Sequence, residues 1–316
     1  MTWRRRRRRT VVYVLRGLTR RVLYVGITSR SPSKRWAEHA QDKPWWPLIA
    51  QAHFGASRSK VGLTGQMDNN LVLTDAATVE AALRCDDLVP PPPPASIGTG
   101  PMAALRSQMA RFSPPEQHQP PRAAVDTLIA SLVDFPFTAD AERRTAELVS
   151  DGAADLEAEV GLVVPVETMA SALKVSAAEL AAVRADTAAV AAVIGRQEAI
   201  TTEGDGAAER LMSRFGSDDD AIAAISLLYQ THDATAALFR VTLEARRFGQ
   251  ARRAAVTKTV RLATSDTTVA AADIAAGSTI TLDLAQTGFE FGAGPHACPG
   301  RDIAEQIVTG MMNGLA

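Results

Sequence analysis

Only two of the 316 residues are cysteine, Cys85 and Cys298. That is too few for a disulfide framework and suits a reducing compartment. Aromatic residues are scarce as well, at 5%, so the core must come mainly from Ala, Val, Leu and Ile, which favours closely packed helices over a broad sheet sandwich. Long apolar runs are missing: no stretch approaches the roughly 18 residues of a membrane span. The run Val11 to Leu15 that follows the arginines is too short for the apolar core of a signal peptide. The expectation is a cytoplasmic protein without membrane contact. What the chain does have is 46% hydrophobic against 22% charged residues and a mean hydropathy of -0.02. This is enough for at least one substantial core, and the length allows two domains.

The net charge of -1 conceals an asymmetry. Residues 1–90 hold 16 Lys and Arg against 7 Asp and Glu, and the remainder holds 18 against 28. Opposed halves suggest two modules, the first with a polyanionic partner such as DNA. Since Arg4 to Arg9 supply much of that surplus, a solvated tail is the alternative. Pro90 to Pro94 must be extended polyproline II, and the Ala-Ser-Ile-Gly-Thr-Gly-Pro that follows has little to pack. The expected division is therefore residues 1–88, a linker at 89–99, and residues 100–316.

In the first part, Val11 to Leu15 and Val22 to Val25 read as two strands joined by a basic turn, followed by a helix over Ser33 to Ala40. This is a small α/β unit. In the second part the pattern predicts helices over 101–112, 121–133, 138–160, 165–173, 176–196, 205–214 and 219–247. Ser217 with Asp218 to Asp220 supplies an N-cap and an acidic first turn for the longest. Short strands follow over 257–263 and 267–284, broken by Ala275-Ala-Gly-Ser, and a last helix runs over 301–315. The fold class is mostly α with small β hairpins.

The segment Phe291-Gly-Ala-Gly-Pro-His296-Ala-Cys298-Pro-Gly300 is suited to present a thiolate. Glycines at 292, 294 and 300 allow tight turns and close approach to a flat ligand, and Cys298 sits just before a helix start whose dipole favours the anion. A buried free cysteine in a glycine-rich turn is the plainer alternative.

With this segment the carboxy-terminal part resembles the cytochrome P450 superfamily over about residues 100–316, in a short form. The resemblance implies haem b, with Cys298 as the axial ligand in a loop formed with Phe291, His296 and Gly300. His118 and Arg122, in Glu116-Gln-His-Gln-Pro-Pro-Arg122, would hold one haem propionate, and Arg261 would reach the other. Leu227 to Thr235 resembles the central helix over the distal haem face. The family's acid and alcohol pair would align there with Asp233 and Ala234, so the hydroxyl falls to Thr235. Glu244-Ala-Arg-Arg247 is an approximate E-x-x-R element, or else the end of the distal helix. The chain passes from Leu284 to Phe291 where family members carry a longer meander. The implied activity is that of a monooxygenase acting on a hydrophobic small molecule, with an electron donor such as a ferredoxin.

Residues 10 to about 85 resemble the GIY-YIG nuclease family, with Val11-Val12-Tyr13 and Tyr24-Val25-Gly26 in place of the two halves of its signature. That resemblance implies that Tyr13 or Tyr24 orients an attacking water, that Arg35 stabilises phosphate charge, that His39 assists proton transfer, and that Glu80 holds Mg2+. Trp45 and Trp46 would pack the core. Three readings are thus open: a haem-thiolate oxidoreductase with an appended nuclease-like module, a metal-dependent endonuclease with a relic haem domain, or a haem-binding protein without turnover.

Overall fold

The computed structural model describes residues 11–17, 22–28, 49–56, 71–91, 99–113, 117–196 and 200–316, the first three of these segments as backbone strands. The arginine run, the expected helix over Ser33 to Ala40, and with them Arg35, His39, Trp45 and Trp46, lie outside the described residues. The chain divides into two compact units, Met1–Asp68 and Asn69–Ala316.

In the first unit, β1 (Val11–Gly17) and β2 (Val22–Thr28) form the expected antiparallel hairpin, longer than anticipated at the ends of both strands. β3 (Ile49–Ala56), which the sequence did not announce, pairs with the other edge of β1. In this register Tyr13 stands opposite Gly26 and Phe54, and Tyr24 opposite Leu15.

The second unit begins well before the proline run. β4 (Leu71–Leu73), α1 (Ala76–Arg84) and β5 (Leu88–Val89) lead into it. β4 runs parallel to β9 (Thr279–Asp283), and β5 runs antiparallel to β6 (Lys258–Ala263), giving a sheet of order β4-β9-β6-β5. Leu73, Val79, Leu83 and Leu88 thereby share a core with Ile280, Leu282 and Ala293. The expected boundary at 89–99 is thus displaced, because strand pairing across nearly two hundred residues leaves no local mark. Glu80 accordingly belongs to the second unit, where it pairs with Arg84 at 3.0 Å.

Eight further α-helices follow among the described residues: α2 (Pro101–Gln108), α3 (Gln119–Ser131), α4 (Phe137–Ser150), α5 (Val164–Ala172), α6 (Leu180–Arg196), α7 (Thr202–Phe215), α8 (Asp219–Phe248) and α9 (Arg301–Asn313). They match the expected helices closely, with one exception. The single helix expected over 138–160 is two, because Gly152 takes φ +94° and Asp155 starts a separate π turn over Leu156–Gly161 by accepting from the N–H groups of Glu157 and Ala158. Glycine allows that left-handed step at no steric cost.

α8 is the axis of the unit. Asp218 rather than Ser217 caps it, accepting from Ala221 N at 2.9 Å, and Gly249 at φ +60° closes it. At about 1.5 Å per residue its 30 residues cross the whole bundle. Every residue from Ala221 to Tyr229 is buried, whereas Asp233 and Ala234 are exposed. A helix enclosed on all sides thus opens a short window halfway along. The main core joins Leu228, Phe239 and Leu243 of α8 to Met169, Val190, Leu211 and Ile307 of its neighbours.

Between β6 and β9, β7 (Thr267–Val269) and β8 (Ala272–Ile274) form a hairpin. Its two loop residues, Ala270 and Ala271, have φ of 55° and 121°, where Asn-Gly is the favoured pair. Among the described residues no helix is long and apolar enough to cross a membrane.

Candidate functional site

The segment before α9 folds as a self-contained loop. Gly292 and Gly294 take φ of +74° and +66°, Gly292 N donates to Phe289 O at 2.8 Å, Ala297 N to Gly294 O at 3.0 Å and Cys298 N to Phe291 O at 2.7 Å. These bonds hold Cys298 against the start of α9, where Arg301 lies 5.2 Å from the Phe291 ring centre. Glycine is required at 294 for a second reason: an added Cβ would come within 2.9 Å of the Arg84 Cα and the Leu83 carbonyl. The loop therefore rests directly on α1.

Cys298 is exposed, yet protein surrounds it closely enough for burial to push its thiol up; the Gly300 N–H and the charge of Arg122 act the other way and favour the thiolate. A coordinated iron would reverse the net rise, because a metal binds the deprotonated sulfur.

Basic side chains converge on the loop from distant parts of the chain. His118 is 6% exposed, and its ring lies edge-on to His296 with centroids 4.5 Å apart. Arg122, one turn into α3, donates to the Ala297 carbonyl at 3.0 Å and the Pro295 carbonyl at 3.3 Å, while its Nε holds Asp126 at 2.9 Å. Arg261 on β6 is 5% exposed. Its Nη1 donates to Thr259 Oγ1 at 2.8 Å and to the Val260 carbonyl at 3.0 Å, but its buried Nε has no acceptor among the described residues. Burial pushes Arg261 down to about 10. His296 is pushed down to about 4 by burial and by His118, Arg261 and Arg122. A guanidinium nitrogen sealed from water without an acceptor is costly. The cluster is therefore built to receive anionic oxygen, and the donor set fits a flat ligand carrying carboxylates beside a sulfur ligand, as haem does.

The sign of the histidine shift gives a test. The unfolded chain takes a proton on His296 near 6.5, whereas the folded chain resists until about 4. Between those values the unfolded state binds more protons, so the stability present above 6.5 is lost as the pH falls toward 4. The thermal midpoint of the haem-free protein is expected to drop across that window, and His296→Gln should flatten the drop; an equal slope in the variant would contradict the assignment.

On α8, Thr235 is 3% exposed. Asp233 points outward, its carboxylate 2.7 Å from His232 Nδ1. Glu244 lies on the same helix and pairs with Arg240 and Arg253, so the stretch read as an E-x-x-R element is the end of α8. Of the nuclease-like positions, Glu80 is half-buried on α1 and engaged by Arg84; among the described residues no three potential metal-ligating side chains cluster. Sequence reasoning missed Arg106, which is 1% exposed with none of its three guanidinium nitrogens hydrogen-bonded. Its signal was available: it falls one turn after Met102 on the apolar stripe of α2, where an arginine is out of place.

No family model and no curated protein matches the chain. Solved structures do. The chain is similar to P450BioI, in a complex with acyl carrier protein ligated to hexadec-9Z-enoic acid, at 15% identity with a TM-score of 0.61, covering 79% of this chain and 86% of that one. It is similar to cytochrome P450epoK bound to epothilone B at 16% identity and a TM-score of 0.60, covering 78% and 83%. It also matches CYP109E1 from Bacillus megaterium in complex with testosterone, at 14% identity and a TM-score of 0.56, covering 90% and 89%. Nothing in these comparisons supports a nuclease-like module. At this level of identity the likeness speaks for the architecture alone, and with α8 crossing the bundle and the cysteine loop leading into α9, this chain has the cytochrome P450 fold.

Proposed function

We propose that the protein is a haem-thiolate oxidoreductase, a monooxygenase of hydrophobic small molecules that receives electrons from a donor such as a ferredoxin. The observation that carries this reading is the convergence of His118, Arg122, Arg261 and His296 around the Cys298 loop, with a buried guanidinium nitrogen of Arg261 left without an acceptor. Cys298 would be the axial ligand, with the Gly300 N–H drawing charge from the sulfur. Arg261, with Arg122 and His118, would hold the propionates, while Phe291 and Gly300 shape the loop that carries the ligand. When bound, haem b supplies the chemistry that activates oxygen toward a substrate C–H bond.

On the distal side, Asp233 and His232 form a hydrogen-bonded pair at the exposed window of α8, suited to pass protons inward. Thr235 carries the hydroxyl nearest in sequence to that window. Apolar substrate would lie along α8 between Leu227 and Phe239. The matched P450 structures are described with hexadec-9Z-enoic acid ligated to acyl carrier protein, with epothilone B and with testosterone, and a hydrophobic small molecule is the substrate class proposed for this chain. Haem binding without turnover is the second reading, favoured by Ala234 at the place of an alcohol.

The test is the absorption spectrum of purified or haem-reconstituted protein, reduced and exposed to carbon monoxide. A Soret band red-shifted to the thiolate-carbonyl position is expected. Failure to take up haem would overturn both readings, and oxygen consumption with a ferredoxin system separates them.

A further inference from the structure

α2 presents Met102, Leu105 and Arg106 on one face with Met109 just past its end, and none of the four is more than 1% exposed. Arg106 is thus a cation on an apolar stripe. Among the described residues its Nε, Nη1 and Nη2 have no acceptor, and its guanidinium carbon lies 4.9 Å from the Phe112 ring centre. An aromatic face gives such a cation only partial compensation. Guanidinium does not solve the problem by losing its proton, so what is missing is an anion. The charges that act on Arg106 are Tyr229 of α8 and Arg111, and Arg111 acts on Arg261 as well; those acting on His296 are His118, Arg261 and Arg122. Asp233 acts on Tyr229 from one turn further along α8, but its carboxylate is committed to His232. Arg106 therefore faces Tyr229 of α8 and is not among the groups that act on His296.

We propose that Arg106 is a specificity-determining residue that anchors the carboxylate of an anionic, apolar substrate beside Tyr229. This rests on the haem-thiolate reading and narrows its substrate class to amphiphilic acids. Three unengaged N–H groups in a rigid fork match a carboxylate in the bidentate manner. The Tyr229 hydroxyl, kept protonated by burial, adds a donor. Phe112, whose ring faces the guanidinium, and the buried Met102 and Met109 are the apolar surface that a chain behind the head group would have to part.

The experiment is calorimetric titration of the full-length, haem-loaded protein with dodecanoate and with 1-dodecanol, equal in chain length and differing in charge. Dodecanoate is expected to bind at least about tenfold more tightly, the smaller end of what a charge-assisted pair supplies. Arg106→Met should bring the two ligands within about twofold while keeping the reduced carbonyl spectrum, and it should unfold at the same or a higher temperature because an unpaired buried cation has been removed. Arg106→Lys should keep part of the preference and serves if the methionine variant does not fold. No preference in the wild type, or an undiminished one in Arg106→Met, overturns the proposal. Loss of haem from Arg106→Met with no change in the ligand preference would assign the side chain to a propionate instead. If the wild type takes up no haem, the same titration on the haem-free chain reports on Arg106 separately from the failed haem reading.

Discussion

Serine at position 298 is expected to abolish the thiolate-carbonyl band completely and leave the fold unchanged. The two halves of this outcome have separate physical causes. An alcohol at this position does not ionise near neutrality and gives iron no thiolate, so the red-shifted band has no source in Cys298→Ser. The loop itself does not depend on the sulfur: its closure comes from the Cys298 backbone N–H on the Phe291 carbonyl and from the turns at Gly292 and Gly294. The side chain is exposed, and exchanges at exposed positions stay within about 0.5 kcal/mol. The control is Cys85→Ser. Cys85 is half-buried, its Sγ 3.7 Å from Thr267 Oγ1, and its replacement should leave the band in place. A surviving band in Cys298→Ser, or a lost one in Cys85→Ser, would sink the ligand assignment.

Gly310→Val is expected to be the most damaging single exchange for the fold. A Cβ added at Gly310 would lie 2.1 Å from the Thr138 carbonyl oxygen and 3.0 Å from the Ala141 Cβ, and one at Gly314 would lie 2.5 Å from the Glu142 carbonyl. α9 therefore crosses α4 backbone against backbone. The contact is closed on both sides by residues with no room to yield: Phe137, Ala141 and Thr145 of α4 and Ile307 and Met311 of α9 are at most 2% exposed. On an exposed helix, alanine in place of glycine would gain about 1 kcal/mol. Here the sign reverses, because the obstacle is main chain rather than a flexible side-chain end. Gly310→Ala should lose stability toward the upper end of the about 1–3 kcal/mol typical of overpacking, and valine should exceed it. Urea midpoints of the three proteins test this. Since α9 starts directly after the Cys298 loop, haem retention should fall in the same order, and an unchanged midpoint in Gly310→Val would refute the close crossing.

The parts of the molecule that could be read in advance are those whose causes lie within a turn or two of chain. The acidic start and glycine stop of α8 are local, and so is the cysteine loop, whose glycines prescribe its turns. Gly152 shows the limit of such reading: apolar periodicity continues across it, and only a left-handed backbone step separates α4 from the π turn that follows. The proline run looked like a boundary because it lacks packing residues. Yet Leu73 and Leu88, which precede it, belong to the sheet built by β6 and β9.

By itself the sequence determined the helical class, the acidic start and glycine stop of α8 and the turns of the Cys298 loop, since propensity, capping and glycine conformations act between near neighbours in the chain. Tertiary structure alone decided that His118 meets His296, that Arg122 reaches the loop carbonyls, that Glu244 pairs with Arg253 rather than with Arg247, and that Arg106 is sealed without an acceptor. The reason is physical: whether a charged side chain is solvated, paired or stranded depends on which surfaces exclude water around it. Those surfaces come from segments far apart in the chain.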